Sequence, residues 1–258
     1  MTTSLDIHSG RLAGLRSFVT GGGSGIGAGI VGLFRDLGAE VCSADLSGGD
    51  IEVDVTSAAS VRDGITKAVE SLGGLDVVVC NAGIPIVGSI DALEEDTWDR
   101  GFDVNVKGVY LTAKYAWSEL AKSKGTILAT ASAVGLVASP GQPAYCASKA
   151  AVGMLIRTIA LEGAPLGIRA NSVCPGFTRT PLVDRFFTAA EDYAAAEADA
   201  IRLHPLGRLG TTSDIAQAFA FLASREASWI TGASLPVDGG MSAGLWSPQD
   251  SDAVPQRL

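Results

Sequence analysis

Histidine is nearly missing from this 258-residue chain: only His8 and His204 occur, too few to build a zinc site of the usual histidine–cysteine kind. Cysteine is scarce as well. Cys42, Cys80, Cys146 and Cys174 lie far apart, with no paired spacing, and three of them sit within or beside apolar runs. They read as free thiols rather than disulfides or metal ligands, and no metal is expected. Charged residues make up only 18%, the net charge is -9, and no basic run appears. Nucleic acid is therefore not an expected partner, because phosphate binding needs clustered positive charge. There is no apolar signal core at the start and no apolar run of roughly 18 residues. No membrane association is expected, and the protein should be soluble and cytoplasmic.

What the chain has is apolar bulk, 47% of its residues, in an alternating order of elements. Strand-like runs stand at Arg16–Thr20, Glu40–Ala44, Leu75–Cys80, Gly125–Thr130, Ile168–Val173 and Ser234–Val237, with a brief one at Ile51–Val53. Helical patterns lie between them at Gly25–Leu37, Ala58–Ser71, Thr97–Ala121, Ala144–Gly163 and Ser213–Ala223. Repeated strand–helix alternation implies parallel strands joined by right-handed crossovers, with both faces of the sheet buried. The expected fold class is α/β: one Rossmann-type domain, a doubly wound parallel sheet flanked by helices, over residues 1–240. Two stretches break the rhythm. Only eight residues separate Asp45 from Asp54, so a compact loop must replace a crossover helix there. Residues 241–258 form a polar, aperiodic C-terminal tail.

The first strand runs into Thr20-Gly21-Gly22-Gly23-Ser24-Gly25-Ile26-Gly27, which opens a helix. Glycines permit a tight turn and close backbone approach to a pyrophosphate, and a helix start adds unpaired N–H donors. Asp45 ends the second strand, where a carboxylate can accept both hydroxyls of an adenosine ribose and repel a 2′-phosphate. The next residue is Leu46, and the glycine loop carries no lysine or arginine. NAD is therefore favoured over NADP.

Taken together, these features resemble the short-chain dehydrogenase/reductase family, over roughly Leu12 to Gly240. The glycine loop matches the family's T-G-x-x-x-G-x-G form, and Asp54-Val55 is similar to its adenine-contacting pair. Cys80-Asn81-Ala82-Gly83 resembles an N-N-A-G segment that steadies the sheet, with Cys80 in place of the first Asn. Asn105 stands in an N-V element, Ser132 precedes Tyr145 by thirteen residues, and Tyr145-Cys-Ala-Ser-Lys149 is a Y-x-x-x-K signature. Pro175-Gly176-Phe177-Thr178-Arg179-Thr180 is similar to the loop that holds the nicotinamide carboxamide. The resemblance implies Tyr145 as general acid/base, Lys149 on the nicotinamide ribose, Ser132 at the substrate oxygen, and Asn105 holding a water that relays protons from Lys149. It also implies a homotetramer and a lid near 182–206.

Tyr145 and Lys149, four apart, share a helix face. An ammonium about 4 Å from a phenolate is worth about 4 kcal/mol at an effective dielectric near 20. That would bring a phenol pKa of about 10 down by about three, before desolvation opposes it. The substrate walls are expected at Ile84–Val87, Ala133–Gln142 and Leu182–Leu206, with Gln142 a further substrate contact. Phe186 and Phe187 suggest an apolar substrate body or, equally, anchors for the lid; Arg179 and Arg185 leave room for a single carboxylate. The expected activity interconverts a secondary alcohol, cyclic or hydrophobic, with its ketone. The alternatives are an NADPH-dependent 3-oxoacyl thioester reductase and a non-catalytic cofactor-binding scaffold.

Overall fold

The computed structural model describes residues 10–244. Chain order runs β1 (Arg16–Thr20), α1 (Gly25–Asp36), β2 (Glu40–Asp45), β3 (Ile51–Glu52), α2 (Ala58–Leu72), β4 (Val77–Cys80) and α3 (Glu95–Phe102). It continues through a π-helical segment (Asp103–Lys107), α4 (Gly108–Ser123), β5 (Thr126–Thr130), α5 (Pro143–Gly163) and β6 (Arg169–Pro175). Helices α6 (Pro181–Thr188), α7 (Tyr193–Arg202) and α8 (Thr212–Ala223) precede β7 (Ser234–Val237). The strands form one parallel sheet in the order β3-β2-β1-β4-β5-β6-β7. Chain direction across the sheet reverses between β1 and β4, which opens a crevice beyond their carboxyl ends.

The period-two alternation of the strands divides the core. Phe18, Val78, Cys80 and Ile127 face one side, where α2, α4 and α5 contribute Val61, Ile65, Leu120, Val152 and Ile156. Val19, Val77, Val79 and Leu128 face the other, closed by Ile30 and Phe34 of α1 and Ile215 and Phe219 of α8. A satellite cluster of Phe187, Ala200 and Leu209 lies under α6 and α7. All four cysteines are free thiols, and burial pushes Cys42 up to about 11 and Cys80 up to about 12.

Three departures from the sequence reading matter. The continuous helix expected at Thr97–Ala121 is two helices with the π-helical segment between them. Helix α6 was not anticipated, although Thr180 before Pro181 is a helix-start signal: the Thr180 side chain accepts from Val183 N–H, and Pro181 lacks the N–H that position leaves unpaired. The segment Pro143–Leu166 is long and apolar enough to cross a bilayer, at a mean hydropathy of 1.3. In this fold it is α5 with its end turn, and it buries Ser148 and Lys149 against the sheet rather than offering a uniformly apolar surface. The tail expected at 241–258 is described only to Gly244, where Asp238 holds its first residues through Ser242; the rest lies outside the described residues.

Candidate active site

The glycine turn is shaped by contacts that admit no side chain. Gly21 has φ +65°, and a Cβ there would stand 2.8 Å from Ala82 Cα. A Cβ at Gly27 would overlap the Gly21 carbonyl. Helix α1 then begins with Ser24 at its cap, no side-chain capping bond and no acid in the first turn. The N–H groups and positive dipole end around Ser24, Gly25, Ile26 and Gly27 are thus left for an anion. Asp45 sits beside them: its carboxylate accepts from Gly23 N–H at 2.9 Å and Leu46 N–H at 2.7 Å. A cradle closed to side chains, an acid-free helix start and an adjoining carboxylate fit a dinucleotide. Asp54 accepts from the Thr56 N–H and hydroxyl through one oxygen, while the Val55 side chain packs under Gly108. The Asp54 N–H donates to Ser60 Oγ and its carbonyl accepts from Ser57 N–H, so its other carboxylate oxygen is the part of that side chain left for a ligand.

Asn81 ties this turn to the chemistry. Its amide donates to the Gly21 carbonyl at 3.1 Å, and its oxygen accepts from the Thr130 hydroxyl at 2.9 Å. Lys149 Nζ in turn donates to the Thr130 carbonyl at 2.8 Å. Thr20, the first residue of the glycine motif, accepts from Asn81 N–H and Ala82 N–H and donates to the Val79 carbonyl. The carboxyl ends of β1, β4 and β5 are therefore linked by side chains.

Asn105, 1% exposed, lies in the π-helical segment, a form frequent at functional sites. Its side chain accepts from Ile84 N–H at 2.8 Å and donates to the Ile84 carbonyl at 3.0 Å and Ser148 Oγ at 3.2 Å. Its side-chain amide is thereby committed to partners within the protein. Gly83 brings the groups together: a Cβ there would be 3.2 Å from Asn105 Oδ1 and 3.3 Å from Lys149 Nζ.

Ser132 follows β5 and accepts from Val134 N–H, while Tyr145 occupies the first turn of α5. Electrostatics here correct the sequence estimate. The Lys149 ammonium lies over the Tyr145 ring, 5.6 Å from its centroid, and points to Thr130 rather than to the hydroxyl. Burial wins: it pushes the Tyr145 phenol up to about 12, opposed by hydrogen bonding to Ser132 and reinforced by Cys146. The ring keeps some exposure to the cleft, so water at the mouth moderates that push. Burial also brings Lys149 down to about 8, with Cys174 opposing. In the bare site Tyr145 is a proton donor.

The outer walls are less ordered by contacts. Ile86 is buried beneath Gly101, but Val87, Leu136, Val137 and Leu182 are exposed. Gly88 N–H donates to the Gly141 carbonyl, joining two of the expected walls next to Gln142, which is half-buried at the start of α5. The adjacent aromatics divide. Phe187 is fully buried against Phe177 and Tyr193, an anchor, whereas Phe186 is 45% exposed. Arg179 is already paired with Glu197 and Asp184, which leaves Arg185 as the freer cation. Thr178 and Thr180 are both buried; Thr178 bridges to Gly210, and Thr180 reaches the glycine turn, its Cγ2 3.5 Å from a Cβ placed on Gly25. His204, which the motifs did not mark, is buried between α7 and this loop, accepting from Phe177 N–H at 3.1 Å and meeting the Ala200 carbonyl at 2.7 Å. Two hollows, of about 280 Å³ by Trp98 and about 310 Å³ behind His204, lie apart from Tyr145.

Comparison with known proteins agrees with this geometry. Residues 21–242 match the family model described as enoyl-(acyl carrier protein) reductase. The chain is 37% identical to a 2-(S)-hydroxypropyl-CoM dehydrogenase of Xanthobacter autotrophicus, over 87% of this chain and 95% of that one. It is 38% identical to a 2,5-dichloro-2,5-cyclohexadiene-1,4-diol dehydrogenase of Sphingobium indicum, over 91% and 99%. The ligand-free structure of Thermoplasma acidophilum aldohexose dehydrogenase superposes with a TM-score of 0.87 at 35% identity, covering 93% of this chain and 99% of that one. A short-chain type dehydrogenase/reductase from Mycobacterium marinum superposes at 0.83 and 33%, over 93% and 99%. With this site on this sheet, the chain belongs to the short-chain dehydrogenase/reductase family of oxidoreductases.

Proposed function

We propose that the protein is an NAD-dependent dehydrogenase that interconverts a hydrophobic secondary alcohol, cyclic substrates included, with its ketone. The observation that carries this reading is the run of hydrogen bonds from Gly21 through Asn81 and Thr130 to Lys149, which sets the dinucleotide turn and the proton-transfer residues in one frame. Gly21, Ser24, Gly25, Ile26 and Gly27 would hold the pyrophosphate, and Asp45 the adenosine ribose. Asp54 and Val55 would meet the adenine, Lys149 and Tyr145 the nicotinamide ribose, and Thr178 and Thr180 the carboxamide, with Asn81 steadying the floor. When bound, NAD supplies the hydride acceptor. The protein's own part is to move the proton. Tyr145, protonated in the bare site, gives its proton to a carbonyl oxygen that Ser132 also holds. In the other direction the phenol must ionise, and a charged Lys149 turned toward its hydroxyl favours that. Asn105 completes the path for protons through a water.

Gln142 and the exposed apolar walls, with Phe186, would receive the substrate body; one relative is named for a hydroxypropyl substrate and another for a cyclohexadienediol. The family model's description names an acyl-carrier-protein reductase, which keeps an NADPH-dependent acyl thioester reductase as the second reading. Asp45 followed by Leu46 speaks against it. The exposed side chains Tyr110 on α4 and Met154 and Leu161 on α5 support assembly as a homotetramer, and the protein would work in the cytoplasm. A panel of cyclic alcohols, steroids and 3-hydroxyacyl thioesters, followed by absorbance of reduced cofactor, tests the reading. The expected result is NAD turnover with an alcohol of the first two kinds. Turnover only with NADP and thioesters supports the second reading, and NAD binding without turnover on any substrate favours a scaffold.

A further inference from the structure

The connection from β2 to β3 is only Leu46–Asp50, whereas parallel neighbours usually need a dozen residues or more. It suffices because β3 re-enters level with the end of β2: Ala44 pairs with Ile51 and Asp45 with Glu52. Asp50 holds the returning turn in place. One of its oxygens accepts from Ser43 N–H, Ser43 Oγ–H and the Arg35 guanidinium, each at 2.8 Å, and its own N–H donates to Ser43 Oγ at 3.0 Å. Burial alone would raise its carboxyl, but the Ser43 bonds and the Arg35 charge bring it below the ordinary value.

The turn so held lies directly on the glycine loop. A Cβ at Gly23 would collide with the Ser47 carbonyl, and one at Gly49 would stand 2.9 Å from Asp45 N. Between the two loops sits the Asp45 carboxylate, bonded to Gly23 N–H and Leu46 N–H. If the turn moved, one of those donors would move with it.

We propose that Asp50 is a positioning residue for cofactor choice: by locking the Leu46–Asp50 turn to Ser43 it keeps the Asp45 carboxylate fixed at the glycine loop. The inference rests on the reading of Asp45 as the ribose acid. A fixed carboxylate keeps both acceptor oxygens set for ribose hydroxyls and cannot swing away from an added 2′-phosphate. A loosened one loses the first property and relaxes the second. Asp50 therefore acts on discrimination between NAD and NADP without a place in the proton path.

The test is calorimetric titration of the cofactor-free protein with NAD and with NADP, for wild type, Asp50→Ala, Asp50→Asn and Ser43→Ala. Wild type should bind NAD more tightly. Asp50→Ala should lower the NAD-to-NADP affinity ratio about tenfold, the scale of a lost charge-assisted hydrogen bond. Asp50→Asn, which still accepts from Ser43 N–H, should lower it less, and Ser43→Ala should lie between. If Asp50→Ala fails to fold, the two milder variants decide. A merely structural Asp50 would weaken both cofactors alike; unchanged ratios in a wild type that prefers NAD overturn this proposal alone. A wild type that prefers NADP overturns the Asp45 reading and this proposal with it.

Discussion

The two ends of the cleft are built in opposite ways. Around Tyr145 the buried polar side chains are tied to one another: Asn81 and Asn105 each bond to two or more partners, and Lys149, only 4% exposed, bonds to Thr130. Near residues 182–206 the buried apolar cluster is small, Phe187, Ala200 and Leu209, with exposed Leu182 and Phe186 above it and half-exposed ion pairs from Arg179 to Asp184 and Glu197. Buried hydrogen-bonded networks tolerate little change, because each lost partner strands another group. Small apolar surfaces on connecting segments can change shape without that penalty. The difference separates a part of the cleft that tolerates little change from one that can be reshaped at small cost.

That contrast can be broken at its buried end first. Lys149→Met should cost on the order of a thousandfold in turnover. Stability should move differently. The Lys149 ammonium is held near 8 by burial, below its ordinary value of 10.5, so above pH 8 the unfolded chain binds more protons and wild-type stability rises with pH. Denaturation of the cofactor-free proteins from pH 7 to 9.5 should show wild type gaining on Lys149→Met as pH rises. A constant difference would mean that Lys149 is not desolvated as described. Tyr145, raised to about 12, has the opposite sign, but its window opens only above pH 10.

The lid offers the smaller effects. Phe187→Ala removes a fully buried ring and should destabilise the protein, or unfold α6 locally, by about 3 kcal/mol in urea melts. Phe186→Ala should leave stability within about 0.5 kcal/mol and instead raise KM for an apolar alcohol several-fold. Equal losses of stability in the two variants would erase the distinction between anchor and substrate wall.

Much of this was legible in the chain itself. The limits of β1 and β7 match the apolar runs residue for residue, because turns and charged residues bound them on both sides. The missing helix between Asp45 and Asp54 followed from arithmetic on chain length. The order of Asn105, Ser132, Tyr145 and Lys149 marked the reacting corner. Other features depend on contacts between distant segments. The π-helical segment follows from Asn105 reaching Ile84, and no periodicity within 97–121 announces it. His204 earns its place through the Phe177 backbone, 27 residues away in sequence. The protonation of Tyr145 in the bare site is not legible in the chain either, because spacing on a helix gives the partner but not the direction in which its ammonium points. Burial, invisible in the spacing, then outweighed the charge.

The central claim is that the Tyr145 hydroxyl moves the proton, while the glycine turn and Asp45 carry most of the NAD affinity. Paired measurement of NAD affinity and alcohol turnover for wild type and Tyr145→Phe tests it most directly. The account predicts NAD affinity within about threefold and a turnover loss of about a thousandfold or more. Near-wild-type turnover by Tyr145→Phe would contradict it.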